Sequence, residues 1–315
     1  METRKLGKNG PDLTVIGFGA WAIGGAWIYG WGKTEDSESI RAIDAAIDNG
    51  INWIDTAAAY GLGHSEKVIG KAVKGKRDKV FIATKCGLVS EDQWSVRNNL
   101  KPESIRKEAE RSLKELNTDY IDLFQIHWPD PNTPIEESWQ AIADLKKEGK
   151  VRYIGVSNFD VPLLEKCMAI EQVQSLQPPY SMLKREVEES ILSYCKDNGI
   201  GVVAYSPMQS GLLTGKFDIN KLAEDDWRLR ERMFKEPQLS KILAFVEKLR
   251  SIAGKSGKSV GNLAVAWVLN NPALTAAIVG ARNAKQVEEN IKAADYKLTS
   301  DELAEIEGYL KELAL

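Results

Sequence analysis

Asp55, Tyr60, Lys85 and His127 are the residues whose types and positions could do chemistry together. Three of them close apolar, β-rich runs: INWIDT stops at Asp55, FIATK at Lys85 and DLFQIH at His127. Tyr60 follows the acid by five residues, with Gly61 beside it. Singly, each has an ordinary explanation as a turn residue, a solvated strand end, a core histidine or a packing aromatic. At the ends of three consecutive parallel strands they place an acid, an amine, an imidazole and a phenol on one rim. A free phenol has a pKa of about 10, too high for ready proton exchange at neutral pH. An ammonium hydrogen-bonded to its oxygen stabilises the phenolate, so Lys85 is expected to lower the Tyr60 pKa. Buried alone, that ammonium would tend to lose its proton; Asp55 would keep it charged and in place. A neutral His127 imidazole would orient a carbonyl oxygen beside the phenol. The set suits proton donation to a developing alkoxide. It holds no obvious nucleophile, and with His64 and His127 the only histidines, a multi-histidine metal centre is excluded by count. The electrons must then come from a cofactor.

Eight apolar runs could carry such a rim: LTVIGFG, INWIDT, KVFIATK, YIDLFQIH, VRYIGVS, VQSLQ, IGVVAYS and TAAIVG. They are mostly continuous rather than alternating, as parallel strands covered on both faces are. Between them lie helical spacings. SIRKEAERSLKEL puts Ile105, Ala109, Leu113 and Leu116 on one face; PIEESWQAIADLKKEGK does so with Ile135, Trp139, Ile142 and Leu145 and stops at Gly149. Eight strand–helix alternations predict an α/β fold, a (β/α)8 TIM barrel, with a doubly wound open sheet as the alternative. The opening METRKLGKNGPDLTV predicts a β-hairpin turning at Asn9-Gly10, placed to cap the barrel's bottom. Residues 1–315 read as one domain. A long loop between strands 7 and 8, from Ser206 to about Gln238, carries Trp227, Leu229, Met233 and Phe234 and reads as a lid.

Two motifs fail on inspection. GFGAWA fits a dinucleotide fingerprint, but the chain continues IGGAWIYGWG instead of opening a helix. GLLTGKF is one residue short of a phosphate loop and lacks its Ser or Thr. A net charge of −3 and a pI of about 5.7 give no basic surface for nucleic acid. The absence of an apolar leader or an eighteen-residue apolar run predicts a cytoplasmic protein without a membrane span. Cys86, Cys167 and Cys195 are too widely spaced for a disulfide framework or a zinc knuckle. Oligomeric state is left open.

The motifs together resemble the aldo-keto reductase family over nearly the whole chain. DTAAAYG is similar to the family's DTAxxYG, and the lysine of ATKCG, the histidine of LFQIHWPD, and GKVRYIGVSNF follow in family order. YGLGHSE and HWPD resemble the bacterial and potassium-channel β-subunit branch. The resemblance implies a tetrad of Asp55, Tyr60, Lys85 and His127 with Tyr60 as general acid, and an extended NADPH lying across the barrel mouth. Ser157, Asn158 and Gln177 would bind the carboxamide, Tyr205 would stack on the nicotinamide, and Ser206, Gly211 and Leu212 would meet the pyrophosphate. Trp21 would line the substrate side and, with Asp55, touch the cofactor; Trp27 and Trp128 would also meet a small carbonyl substrate. Trp27, Tyr29 and Trp31 either wall an aromatic pocket or pack their own loop. After Gly280, GARNAKQVEEN opens a helix with Asn283 as N-cap. Arg282 there can grip a phosphate bidentately, which favours the 2′-phosphate of NADP, with Gln286 and Asn290 toward the adenosine. His64 is expected to be a surface or capping residue, and Cys86 to point away from Lys85. The expected function is NADPH-dependent reduction of aldehydes and ketones. A nucleotide-binding regulatory module, like the channel β subunits, is the alternative.

Overall fold

The computed structural model describes residues 1–90, 92 and 94–313. In chain order its elements are β1 (Thr3–Lys5), β2 (Asp12–Thr14), β3 (Ile16–Gly19), α1 (Asp36–Asp48), β4 (Trp53–Asp55), α2 (His64–Ala72), β5 (Phe81–Cys86), β6 (Leu88–Val89), β7 (Arg97–Asn98), α3 (Pro102–Leu116) and β8 (Ile121–Ile126). There follow α4 (Ile135–Lys147), β9 (Val151–Ser157), α5 (Val161–Met168), β10 (Ser175–Gln177), α6 (Ile191–Asp197), β11 (Gly201–Ala204), α7 (Gln238–Lys255), α8 (Val260–Leu269), β12 (Ala276–Gly280), α9 (Ala284–Asn290) and α10 (Ser300–Leu313).

Strands β3, β4, β5, β8, β9, β10, β11 and β12 pair in parallel in that order, and β12 returns to β3 through pairs such as Gly19↔Gly280, so the sheet closes into a barrel. All eight predicted runs supply a barrel strand, with helices outside. The continuous apolar character has a direct cause. One face of each strand packs outward on the helices, in the large core that includes Ile54, Ile82, Phe124 and Ile154; the other packs inward with Trp53, Ala83, Leu123, Val203 and Ile278. On α3 the expected face is buried at Ile105, Ala109 and Leu116, with Leu113 at its edge. Gly149, at φ +77°, stops the chain one residue past the α4 cap.

The N-terminal hairpin does close the bottom of the barrel. Leu6 and Leu13 enter the inner core against Trp53, whose indole N–H donates to the Thr14 carbonyl at 2.9 Å. Its turn differs from expectation. Lys5 pairs with Asp12, so six residues make the connection, and the left-handed residue is Gly7 rather than Asn9 or Gly10. The Leu6 N–H donates to the Pro11 carbonyl, and Lys8 N–H bonds the Gly199 carbonyl; those contacts set the register, which a two-residue turn would not satisfy. The run LTVIGFG also serves two sheets, its first residues in the hairpin and its last in the barrel, with the changeover at Val15. After β3 the chain makes a 3-10 turn at Trp21–Ile23, so GFGAWA opens no α-helix.

The long connection after β11 is built of short 3-10 turns lying over the C-terminal rim. Phe234 anchors it in the core, and Trp227 stacks on Trp21 with ring centroids 5.3 Å apart. Arg228, held by Asp226 at 2.7 Å, lies over the Trp31 ring, and Arg230 donates to the Ile28 carbonyl at 2.8 Å. No helix among the described residues is long and apolar enough to cross a membrane.

Candidate active site

Successive side chains of a strand point to opposite faces. Lys85 therefore points into the barrel while Thr84 and Cys86 face the helices, and Cys86 belongs to the outer core as expected. The Lys85 ammonium lies within 2.9 and 2.7 Å of the two Asp55 oxygens, 2.8 Å from the Thr56 carbonyl and 3.4 Å from the Tyr60 hydroxyl. Asp55 also accepts from the Gln177 amide at 2.7 Å. Tyr60 reaches the group from the β4–α2 loop, and the loop's shape depends on the residue after it. Gly61 has φ +59°, and a Cβ there would lie 1.7 Å from the Gly24 carbonyl oxygen. No other residue fits that turn. The His127 ring meets Tyr60 edge-on at 5.8 Å. The four predicted residues thus converge.

Burial raises Asp55 and lowers Lys85, and their mutual attraction opposes both shifts. Burial, reinforced by the Lys85 charge, holds His127 well below its ordinary range, so its imidazole is neutral at pH 7. Tyr60 departs from expectation. Burial pushes its phenol well above 10, and the Asp55 charge and Tyr205 push the same way. The ammonium is committed to the carboxylate and touches the phenol oxygen only at 3.4 Å, so its help is outweighed. Tyr60 is firmly protonated, the form a proton donor must hold.

Beside the tetrad, Asn158 takes φ +63°, a conformation asparagine tolerates. This turns its amide back to donate to the His127 carbonyl at 2.9 Å and the Ser157 hydroxyl at 3.0 Å. Its oxygen accepts from the Tyr205 hydroxyl at 2.9 Å, and Ser157 donates to the Gln177 carbonyl at 2.7 Å. The expected carboxamide-binding side chains are therefore already linked to one another and to the tetrad.

A cleft of about 1430 Å³ runs from these residues across the rim. Trp21, Trp27, Trp128, Ser206, Gly211, Gly280, Arg282, Gln286 and Asn290 all line it, together with Asp55, Tyr60, His127, Ser157, Asn158, Gln177 and Tyr205. Two expected residues do not. Lys85 lies beneath the floor, fully buried against Asp55 and the Tyr60 hydroxyl. Leu212 is fully buried with its side chain in the outer core, because an isobutyl group prefers that core to a polar cleft. Asn283 caps α9 as expected, accepting from the Gln286 N–H at 2.9 Å, but the Gln286 oxygen takes the Arg282 N–H instead of returning to the cap residue. His64 begins α2 and pairs with Asp36 at 3.0 Å on the surface.

Several wall residues were not foreseen. Trp94, Val96 and Asn98 reach the cleft from the small β6–β7 ribbon, Leu88 with them, and Asp226 and Arg228 line it from the connection after β11. The two-residue strands of that ribbon give no periodic signal. Trp21 and Trp27 flank Tyr60 at 6.3 and 6.2 Å, and Trp31 meets Trp21 and Trp227 edge-on. The AWIYGWG loop both packs on itself and walls the pocket.

The sequence profile of the Aldo/keto reductase family matches residues 15–311, which carry the whole barrel and all of these residues. The chain belongs to the aldo-keto reductase family. This aldo-keto reductase is 42% identical to the aldo-keto reductase YhdN of Bacillus subtilis (strain 168) over 99% of its own length and 94% of that protein's. It is 36% identical to the NADH-specific methylglyoxal reductase of Escherichia coli (strain K12), over 95% of each chain. Among solved structures, the glycerol dehydrogenase AKR11B4 of Gluconobacter oxydans superposes with a TM-score of 0.90 at 38% identity, covering 99% of this chain and 95% of that one. Aldo-keto reductases are oxidoreductases of carbonyl compounds that use a nicotinamide cofactor, and the donor set fits that group. The cleft is lined by the amide and hydroxyl groups beside the tetrad, by Tyr205 and by cations that include Arg282. Among the described residues, no group of three or more His, Cys, Asp or Glu is arranged to hold a metal ion.

Proposed function

We propose that this enzyme reduces aldehydes and ketones to alcohols with NADPH, and that Tyr60 delivers the proton. The observation that carries the reading is the buried Lys85 ammonium between Asp55 and the Tyr60 hydroxyl, with a neutral His127 beside them. When bound, the nicotinamide supplies the hydride. The chain does the rest. His127 and Tyr60 orient the carbonyl oxygen, and as negative charge grows there the phenol gives up its proton. The ammonium stabilises the tyrosinate left behind, since that charge develops within its reach. Trp21, Trp27 and the lid keep water from the reacting centre. Ser157, Asn158 and Gln177 would hold the carboxamide, and Tyr205 would take the face of the ring.

Preference for NADPH is supported by Arg282, which lines the cleft and whose guanidinium has no hydrogen-bonding or ionic partner among the described residues. The test is cofactor oxidation, followed by loss of its absorbance, with NADPH and NADH against a panel of aldehydes, ketones and 2-oxoaldehydes. NADPH is expected to give the higher kcat/KM. Arg282→Ala should raise the KM for NADPH by roughly tenfold or more, the worth of a charge-assisted hydrogen bond, and leave NADH almost unaffected. A wild-type preference for NADH, with Arg282→Ala silent, would overturn the cofactor assignment.

A further inference from the structure

Two buried acids behind β5 take no part in the chemistry above. Glu66 on α2 is fully buried and accepts from the Thr84 hydroxyl at 2.6 Å. Glu108 on α3 is 8% exposed, and its two oxygens receive the Gly87 N–H at 3.2 and 3.0 Å. The Ser104 hydroxyl donates to it as well, at 3.3 Å. A carboxylate placed among apolar side chains is costly unless it satisfies donors. Here it satisfies the orphan amide at the point where the chain leaves the strand. Gly87 is fixed there by φ +90° and by Leu100, which a Cβ would approach to 2.3 Å. Lys85 stands two residues earlier, and the acids grip residues 84 and 87 on either side of it. Inside the barrel, its ammonium must stay within reach of both Asp55 and the Tyr60 hydroxyl.

We propose that Glu108 is a positioning residue of the reducing site: its ionised carboxylate holds the Gly87 amide and so fixes the strand tip that presents Lys85. The inference rests on the role given to Lys85 above. When Glu108 is protonated, one of its oxygens becomes a donor facing another donor, and the grip on the amide weakens. Burial raises this carboxyl to about 7; the Gly87 amide and Ser104 oppose the rise, Glu66 adds to it and Arg111 opposes it. The groups facing it are Glu66 from α2, Ser104 and Arg111 from α3, and Gly87 with the Cys86 thiol from β5; burial keeps that thiol neutral. Tyr60 is held above the neutral range and His127 below it. Glu108 therefore loses its charge as pH falls through about 7, and kcat should fall with it.

The experiment is a kcat and KM profile of the full-length enzyme between about pH 5 and 9, with NADPH and the fastest aldehyde of the panel. Glu108→Gln keeps one acceptor but puts a donor where the second oxygen was, like the protonated acid, and cannot titrate, so the acid limb should vanish with kcat held near its low-pH value. Glu108→Ala should lower kcat on the order of tenfold or more at every pH with KM for the aldehyde little changed, and Glu108→Gln, with one acceptor left, should lie between it and the ionised wild type. NADPH titration by fluorescence checks that each variant is folded. Should Glu108→Ala fail to fold, the near-isosteric Glu108→Gln still decides the matter. An acid limb retained unchanged in Glu108→Gln, or wild-type kcat in Glu108→Ala, would overturn the proposal. Full activity in Tyr60→Phe would instead remove the proton-donor reading, which separates the two failures.

Discussion

At the scale of single residues, the Lys85 ammonium has spent all its hydrogen-bonding capacity: on Asp55, on the Thr56 carbonyl and, more weakly, on Tyr60. Removing it would leave Asp55, 3% exposed, with only the Gln177 amide for support. Breaking a buried ion pair from one side costs about 3–5 kcal/mol, whereas replacing both partners can be nearly neutral. Lys85→Met is therefore expected to lose about that much stability in denaturant titrations, and Asp55→Asn combined with Lys85→Met to regain a large part of it. A Lys85→Met variant as stable as the wild type would show that the pair is not a buried charge pair in solution. The identities of these residues were legible in the sequence because each ends an apolar run or follows one. The state of the Tyr60 proton was not. It depends on how deeply Trp21, Trp27 and the barrel floor bury the phenol and on the ammonium preferring the carboxylate, and neither follows from spacing.

At the scale of elements, the barrel strands and the α3 and α4 helices were legible from periodicity and stop signals. The hairpin's turn was not, because the Leu6–Pro11 bond inside it and the Lys8–Gly199 contact with the barrel set its register and override an Asn-Gly signal. The β6–β7 ribbon was invisible, since two residues per strand carry no pattern. The lid was recognised from its length and its aromatic residues, but its partners were not: Trp227 on Trp21 and Trp31, Arg230 on the Ile28 carbonyl. Those contacts join the lid to the loop after β3 over the cleft. Trp227→Ala should remove aromatic pairing worth about 1 kcal/mol or somewhat more. Hydrogen exchange in the segment 218–234 should then quicken several-fold, roughly in line with that energy, with α7 unchanged. Equal exchange in variant and wild type would mean that other contacts hold the lid.

At the scale of the whole molecule, the barrel separates stability from chemistry. The bottom is sealed by Leu6 and Leu13 against Trp53, while the tetrad, the cleft and the lid occupy the opposite end. Conserving that division, a change at the bottom should alter stability without altering turnover. Leu13→Ala is expected to cost about 2–5 kcal/mol, read as an earlier denaturation midpoint, with kcat of the folded enzyme unchanged. A large fall in kcat at full folding would show that the plug is coupled to the rim.

The central claim is that the Tyr60 phenol, beside a charged Lys85 and a neutral His127, gives its proton to the carbonyl oxygen. Steady-state kinetics of Tyr60→Phe test it most directly, with NADPH binding measured on the same protein. The account predicts that kcat/KM for the aldehyde falls by about 10² to 10⁴ while NADPH affinity stays within about twofold, since the phenol oxygen is not assigned to cofactor binding. Wild-type turnover in that variant would contradict it.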